Sequence, residues 1–450
     1  MANEKGEIFD LEGYGAVGRC GEVLMPLTVG ETLLMPDGGE LMRLPDRYAL
    51  VWNMEEGVVE TLSHNPYNPE ERIYPVAAFN SPGYVNTAQV AAEEEAGAEL
   101  LPLFSYCAVG WHDEGFRTAS FRVDAEERQD LSLMPIPKVE EGVAVMRERF
   151  PENRLFRHLE HCSLTYGCPA AKNFYIGRCE APLPTSRQCN ARCLGCISFQ
   201  SGPSLSSCQD RIDFTPTPEE ISEVALTHFD RVPGGVASFG QGCEGDPLMA
   251  AEVIEPALVL IRSKTAAGTL NMNTNGSLPL VLDRLFTAGL DSIRVSMNSV
   301  RKEIYSAYFR PNGYRYEDVV ESFQVARKHG AYKAINYLNV PGVTDCIEEV
   351  EALSEFIDAN AVDLIQWRNL NFDPLRYYQM MRAAGPIGLP VGMRRMIMKL
   401  EKRFPKLKHG YFNPSLEMYA ERPGGRNIPK KPSKQSKKCS KQSNRPHKRR

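Results

Sequence analysis

From about residue 217 onward, short apolar runs at a period of two alternate with amphipathic stretches at helical period, the texture of strand–helix units in a parallel sheet. The pattern predicts strands over 236–240, 269–275, 292–298, 333–340 and 364–370. Helix starts between them are marked independently: Thr217-Pro218-Glu219-Glu220 reads as a capping box with proline at the first helical position, and Asp345 with Glu348 offers a similar cap. With one further strand upstream the count reaches about six units, which predicts an α/β fold built on a partial (β/α)6 TIM-like barrel.

The strands carry an unusual second row. Leu270, Met272 and Thr274 alternate with Asn271, Asn273 and Asn275; Ile293, Val295 and Met297 alternate with Arg294, Ser296 and Asn298; Ile365 and Trp367 alternate with Gln366 and Arg368. A parallel sheet covered on both faces reads as continuously apolar, so a polar row on successive strands implies an interior that holds water or a ligand. That ligand belongs toward the strand C-termini. Gln366 and Arg368 are expected there, with Trp367 packed outward under a helix.

The first 135 residues read differently. Short β-branched and apolar runs are broken by turn sequences such as Pro36-Asp37-Gly38-Gly39 and Ser81-Pro82-Gly83, which predicts a smaller β-rich domain. Residues 91–98, rich in acids and alanines, are expected to form a short helix or an exposed loop. A linking segment over 136–184 follows, with a helix near 139–150, then the barrel over 185–375, a helical extension over 376–422 and a tail from 423.

Charge separates that tail from the rest. Residues 424–450 hold 11 of the 52 Lys and Arg and no acid, leaving 41 basic against 57 acidic residues elsewhere. With almost nothing apolar the tail is expected to be disordered. Such a basic arm suits RNA, an anionic membrane surface or the acidic body itself, and equally a plain solubilising role. No stretch is long and apolar enough to span a bilayer, and the charged N-terminus is unlike a secretion signal, so a cytoplasmic location is expected.

Eight of the 12 cysteines fall between Cys162 and Cys243, a clustering that favours metal chemistry over disulfides. At its centre stands Cys189-Asn190-Ala191-Arg192-Cys193-Leu194-Gly195-Cys196. Thiolates suit iron–sulfur clusters and zinc, and three ligands leave a corner that a structural zinc site would fill with a fourth.

From about Thr185 to Asp373 the chain resembles the radical S-adenosylmethionine (radical SAM) superfamily, whose motif has this cysteine spacing after the first barrel strand. Gly195 departs from the pattern, which commonly has an aromatic residue before the third cysteine. The resemblance implies a [4Fe-4S] cluster on Cys189, Cys193 and Cys196, with S-adenosylmethionine bound at its open iron. Gly240-Gln241-Gly242-Cys243-Glu244-Gly245-Asp246-Pro247 looks like the loop that holds the cofactor's amino group, with Asp246 as the carboxylate and Glu244 as its rival. Asn273, Asn275, Ser296 and Asn298 at strand ends look suited to the ribose and the methionyl carboxylate. The segment around Val340 resembles the one that flanks the adenine.

The resemblance also implies reductive cleavage to a 5′-deoxyadenosyl radical that takes hydrogen from a substrate, and a low-potential electron donor such as a flavodoxin or ferredoxin. The substrate, whether protein or peptide, RNA or small metabolite, is not readable. Cys162, Cys168 and Cys179, with His161 or Cys208, could ligate a second metal or simply be buried, and Cys243 could exchange a hydrogen atom. The rival from another class is a non-catalytic zinc- or iron–sulfur-binding interaction protein, which accounts for the cysteines and not for the ordered polar strand ends.

Overall fold

The computed structural model describes residues 1–113, 115–126, 130–410 and 413–416; the basic tail lies outside the described residues. The N-terminal region is antiparallel throughout: one eleven-stranded sheet with two small ones. Its strands carry their own small apolar clusters, around Cys20, Cys107 and Ala119 and around Leu44 and Tyr106. Residues Ala92–Glu94 are neither helix nor loop but a strand paired with Arg47–Ala49. Glu94 reaches buried Arg47 at 3.2 Å and Arg376 at 2.9 Å, so its charge is satisfied by partners distant in sequence.

Three helices follow, α1 (Ile136–Arg149), α2 (Arg154–Leu164) and α3 (Pro169–Tyr175). Val139, Val143, Leu155, Phe156 and Phe174 share one continuous core with the barrel. Asn153 caps α2 by accepting from the backbone N–H of Leu155 and Phe156.

The barrel sheet runs in strict sequence order with every pair parallel: β1 (Glu180–Pro182), α4 (Pro218–Arg231), β2 (Val236–Phe239), α5 (Ala251–Lys264), β3 (Thr269–Thr274), α6 (Pro279–Ala288), β4 (Ser292–Met297), α7 (Lys302–Phe309), α8 (Tyr316–Lys328), β5 (Tyr332–Asn339), α9 (Ile347–Asn360), β6 (Leu364–Asn369), α10 (Pro374–Ala384), α11 (Met393–Arg403) and β7 (Lys408–Gly410). The sheet is therefore an open partial barrel of seven strands, one more than the sequence pattern predicts, because three-residue β7 is too short to show a period. The Thr217 capping box forms as expected. Asp345 does not cap α9: Cys346 occupies the cap position, and the Asp345 carboxylate accepts instead from the N–H of Gly342 and Gly392.

The β-rich region sits against the C-terminal ends of β5 and β6. Asn369 accepts from Asn86 N–H and donates to Tyr84 O, each at 2.9 Å, and Arg47 meets buried Asp373 at 2.9 Å. Gly342, at φ +90°, lies so close to Gly21 that a Cβ would stand 2.0 Å from its nitrogen. Among the described residues no helix is long and apolar enough to cross a membrane.

Candidate active site

The interior of the barrel is polar in layers. In the lowest layer, Ser238, Asn271 and Ser292 are in register across β2, β3 and β4 and satisfy one another: Asn271 donates to Ser238 at 3.1 Å and Ser292 to Asn271 at 2.8 Å. Above it, Asn273 pairs in register with Arg294, and Ser296 with Asn336 and Gln366. This upper layer opens into a cavity of about 500 Å³ lined by Asn273, Asn275, Arg294, Ser296, Asn336, Gln366 and Arg368 and, across from them, by Cys189, Cys193, Gly240, Gln241, Gly245 and Asp246. Trp367 faces away, buried, stacked on His409 and donating to its Nδ1 at 3.1 Å.

The cysteine loop leaves β1 and is held from three sides. Gly245 N–H donates to Ser186 O at 2.6 Å and Asp246 N–H to Gln188 O at 2.8 Å. Asn190 accepts from Asn275 at 2.7 Å and donates to Ser277 at 2.9 Å. The N–H groups of Arg192 and Leu194 donate to carbonyls of Phe309 and Tyr308. Gly245 permits the approach, since a Cβ there would stand 1.9 Å from Gln188 O. Gly195 is explained the same way: a side chain would meet Asn371 at 2.8 Å and the Tyr308 hydroxyl at 3.1 Å, so α7 brings an aromatic residue to the place where the motif lacks one.

Burial pushes the Cys189 thiol up to about 12, with Asp246 adding to it, and pushes Cys193 well above the ordinary thiol range, reinforced by Cys189 and Cys196. A bound cation would favour the thiolate forms of Cys189 and Cys193. Arg211 stands 3.7 Å from the Cys196 sulfur. The donor set, three thiols on one loop, fits an iron–sulfur cluster.

The two rival carboxylates have different surroundings. Glu244 is fully buried and accepts from Thr185 N–H (2.8 Å) and Oγ1–H (3.2 Å) and from the N–H of Ser186 (2.9 Å), Gly240 (2.7 Å) and Gln241 (2.8 Å). It braces the loops after β1 and β2 and is absent from the cavity wall. Burial nevertheless pushes its carboxyl up to about 7. Asp246 does line the cavity, accepting from Leu248 N–H, Thr274 Oγ1–H and Asn275 N–H, which leaves part of its acceptor capacity unused.

Two expected residues fall elsewhere. Asn298 is buried behind the strand ends, its amide donating to Ile304 O and to the Tyr377 hydroxyl at 3.1 Å each. Val340 is buried in a turn that uses both its backbone groups, its N–H on Thr344 Oγ1 and its carbonyl for Val343 and Thr344; neither residue lines the cavity. Both lie just past a strand end, where the alternation no longer dictates direction. Asn336, Asn190 and Gln241 were not singled out by sequence. Asn336 shares its face with Ala334 and Leu338, so alternation on β5 offers no polar contrast.

Residues 183–357 match the family model described as the Radical SAM superfamily. These residues are a radical SAM domain. Members of the superfamily are enzymes that use a 4Fe-4S cluster and S-adenosylmethionine. Among solved structures, this chain is similar to anSMEcpe with bound AdoMet (18% identity, 42% of this chain and 51% of that one, TM-score 0.33). It is also similar to methylornithine synthase (14%, 63% and 74%, TM-score 0.37) and to SuiB from Streptococcus suis (12%, 70% and 71%, TM-score 0.36). The chain spans about half the length of the first solved structures it matches. No curated protein matches it.

Proposed function

We propose that this chain is a radical SAM enzyme that cleaves S-adenosylmethionine reductively and passes the radical to a polar substrate held in the barrel cavity. The observation that carries the reading is the convergence of Cys189 and Cys193 with the polar ends of β3 to β6 on one cavity of about 500 Å³. Cys189, Cys193 and Cys196 would hold the cluster. When bound, the cluster supplies an electron to the sulfonium of S-adenosylmethionine, giving methionine and a 5′-deoxyadenosyl radical.

The chain's own part is orientation and shielding. Asp246 and the backbone between Gly240 and Gly245 are suited to the cofactor's amino group, and Asn273, Asn275 and Ser296 to its hydroxyl and carboxylate groups. The substrate falls to the far wall. There Asn336 Oδ1 and Gln366 Nε2 are buried with no hydrogen-bond partner in the protein, an arrangement that favours a molecule presenting a donor and an acceptor to neighbouring strands. A low-potential electron donor is required by the same chemistry.

The test is anaerobic: reconstitute with iron and sulfide, reduce, add S-adenosylmethionine and measure 5′-deoxyadenosine against Cys193→Ala. Product from the wild type alone is expected. Protein that binds zinc through Cys193 and makes no 5′-deoxyadenosine would refute the reading and leave the metal-binding interaction protein in its place.

A further inference from the structure

The cysteines upstream of the cluster motif regroup in the fold. Cys179 and Cys208 are drawn apart from the others: the Cys179 carbonyl accepts from His228, and the exposed Cys208 thiol points to Leu103 O. His161 turns to Thr165 and Tyr166. In their place His158, one helical turn before Cys162 on α2, stands with its Nε2 at 3.5 Å from the Cys162 sulfur. Cys243 joins them from the loop after β2, and the three ligand atoms lie within 4.8 Å of one another. Among the described residues this is the one such group of three.

The 3.5 Å between His158 and Cys162 matches an edge of a single tetrahedral ion, and Cys243 lies within reach of the same ion. With metal–sulfur bonds of about 2.3 Å and a metal–nitrogen bond of about 2.05 Å, tetrahedral edges are about 3.6 Å between nitrogen and sulfur and about 3.8 Å between sulfurs. Both cysteines are almost fully buried, at 2% and 5% exposure, and a third thiol packs against them. The turn between α2 and α3, with Gly167 at φ +67°, folds back so that Cys168 N–H donates to Cys162 O at 3.0 Å, and Cys168 packs against the Cys162–Cys243 pair.

We propose that His158, Cys162 and Cys243, with Cys168 packed beside them, form a second metal site that takes one zinc-class divalent ion. Two soft thiolates and an imidazole at tetrahedral spacing select such an ion over calcium or magnesium. The site would clamp α2 to the loop that contains Glu244 and Asp246. That loop in turn holds the cluster-motif loop through the Gly245 and Asp246 N–H groups, and Cys162, Cys168 and Cys243 line the same cavity as Cys189 and Cys193. The metal is thus a brace across the wall of the active site, independent of the cluster in its ligands.

That independence supplies the experiment. The variant Cys189→Ala/Cys193→Ala/Cys196→Ala removes the cluster ligands and leaves the second site alone. Titrated anaerobically with Co²⁺, it is expected to take up about one equivalent, with the intense visible bands of tetrahedral cobalt and a thiolate charge-transfer band, and to release it to Zn²⁺. Adding Cys162→Ala and Cys243→Ala is expected to weaken that binding by about 100-fold or more, and His158→Ala alone by about 10-fold or more. A triple variant with the circular dichroism of the wild type that shows only weak octahedral cobalt, or that holds Cys162 and Cys243 as a disulfide, overturns the proposal. So does tight binding that survives loss of Cys162 and Cys243. Failure of the radical SAM reading would leave these results unchanged, because no cluster is present in the titrated protein.

Discussion

Replacing Glu244 by glutamine separates a bracing carboxylate from a cofactor-binding one. In the structure its two oxygens accept from four backbone N–H groups and one hydroxyl, those of Thr185 and Ser186 buried. A glutamine keeps one acceptor, which still serves Gly240 and Gln241, and turns an NH₂ toward Thr185 and Ser186. Two buried backbone donors then lose their acceptor and face another donor. At about 1–3 kcal/mol for each group left unsatisfied, the cost is about 3 kcal/mol, with the greater part falling on the segment 184–187. Hydrogen exchange read by mass spectrometry is the suitable assay, because it reports local opening in a large chain whose unfolding need not be two-state. Amide protection in peptides covering 184–187 should fall by about 100-fold, since about 1.4 kcal/mol is a factor of ten. Unchanged protection in E244Q, together with lost affinity for S-adenosylmethionine in cluster-loaded protein, would refute the bracing role and return Glu244 to the cofactor.

Asp246→Asn, by contrast, should leave exchange in the 184–187 segment unchanged and weaken S-adenosylmethionine binding by about 10-fold or more by calorimetry, since a charged partner of an ammonium is lost. Gly245→Ala should fail to load iron under conditions that load the wild type, because its Cβ would meet Gln188 O at 1.9 Å and must push the cysteine loop away; normal iron content would refute this. His228 is buried with Nε2 at 3.0 Å from Cys179 O and Nδ1 without a partner, and burial pulls its pKa down from 6.5 to about 4. The unfolded chain therefore takes up a proton below pH 6.5 that the folded chain refuses until about pH 4. Stability from this group is complete above pH 6.5 and declines by about 3 kcal/mol as pH falls through the folded value. His228→Gln should flatten the pH dependence of urea or thermal unfolding across that window, and an unaltered slope would show that other groups set it.

What the sequence determines here is what short range can encode. Cysteine spacing names the chemistry of the motif loop, and alternation on β3, β4 and β6 names the polar interior, because side-chain direction on a strand is fixed by the pleat wherever the strand packs. The Thr217 cap is legible for the same reason, since its hydrogen bonds close within four residues. The tertiary structure decides direction where no period holds. Asn298 and Val340 stand one residue past their strands and turn into the core, and Glu244 and Asp246, two residues apart in one loop, divide between bracing and facing the cavity according to which backbone donors arrive from the loop after β1. Ala92–Glu94 is a strand through its pairing with Arg47–Ala49, a partner distant in sequence, and Arg47 and Arg376 neutralise Glu94 there. The group of His158, Cys162 and Cys243 spans 85 residues of chain, and no local rule brings its members together; packing of α2 against the loop after β2 does.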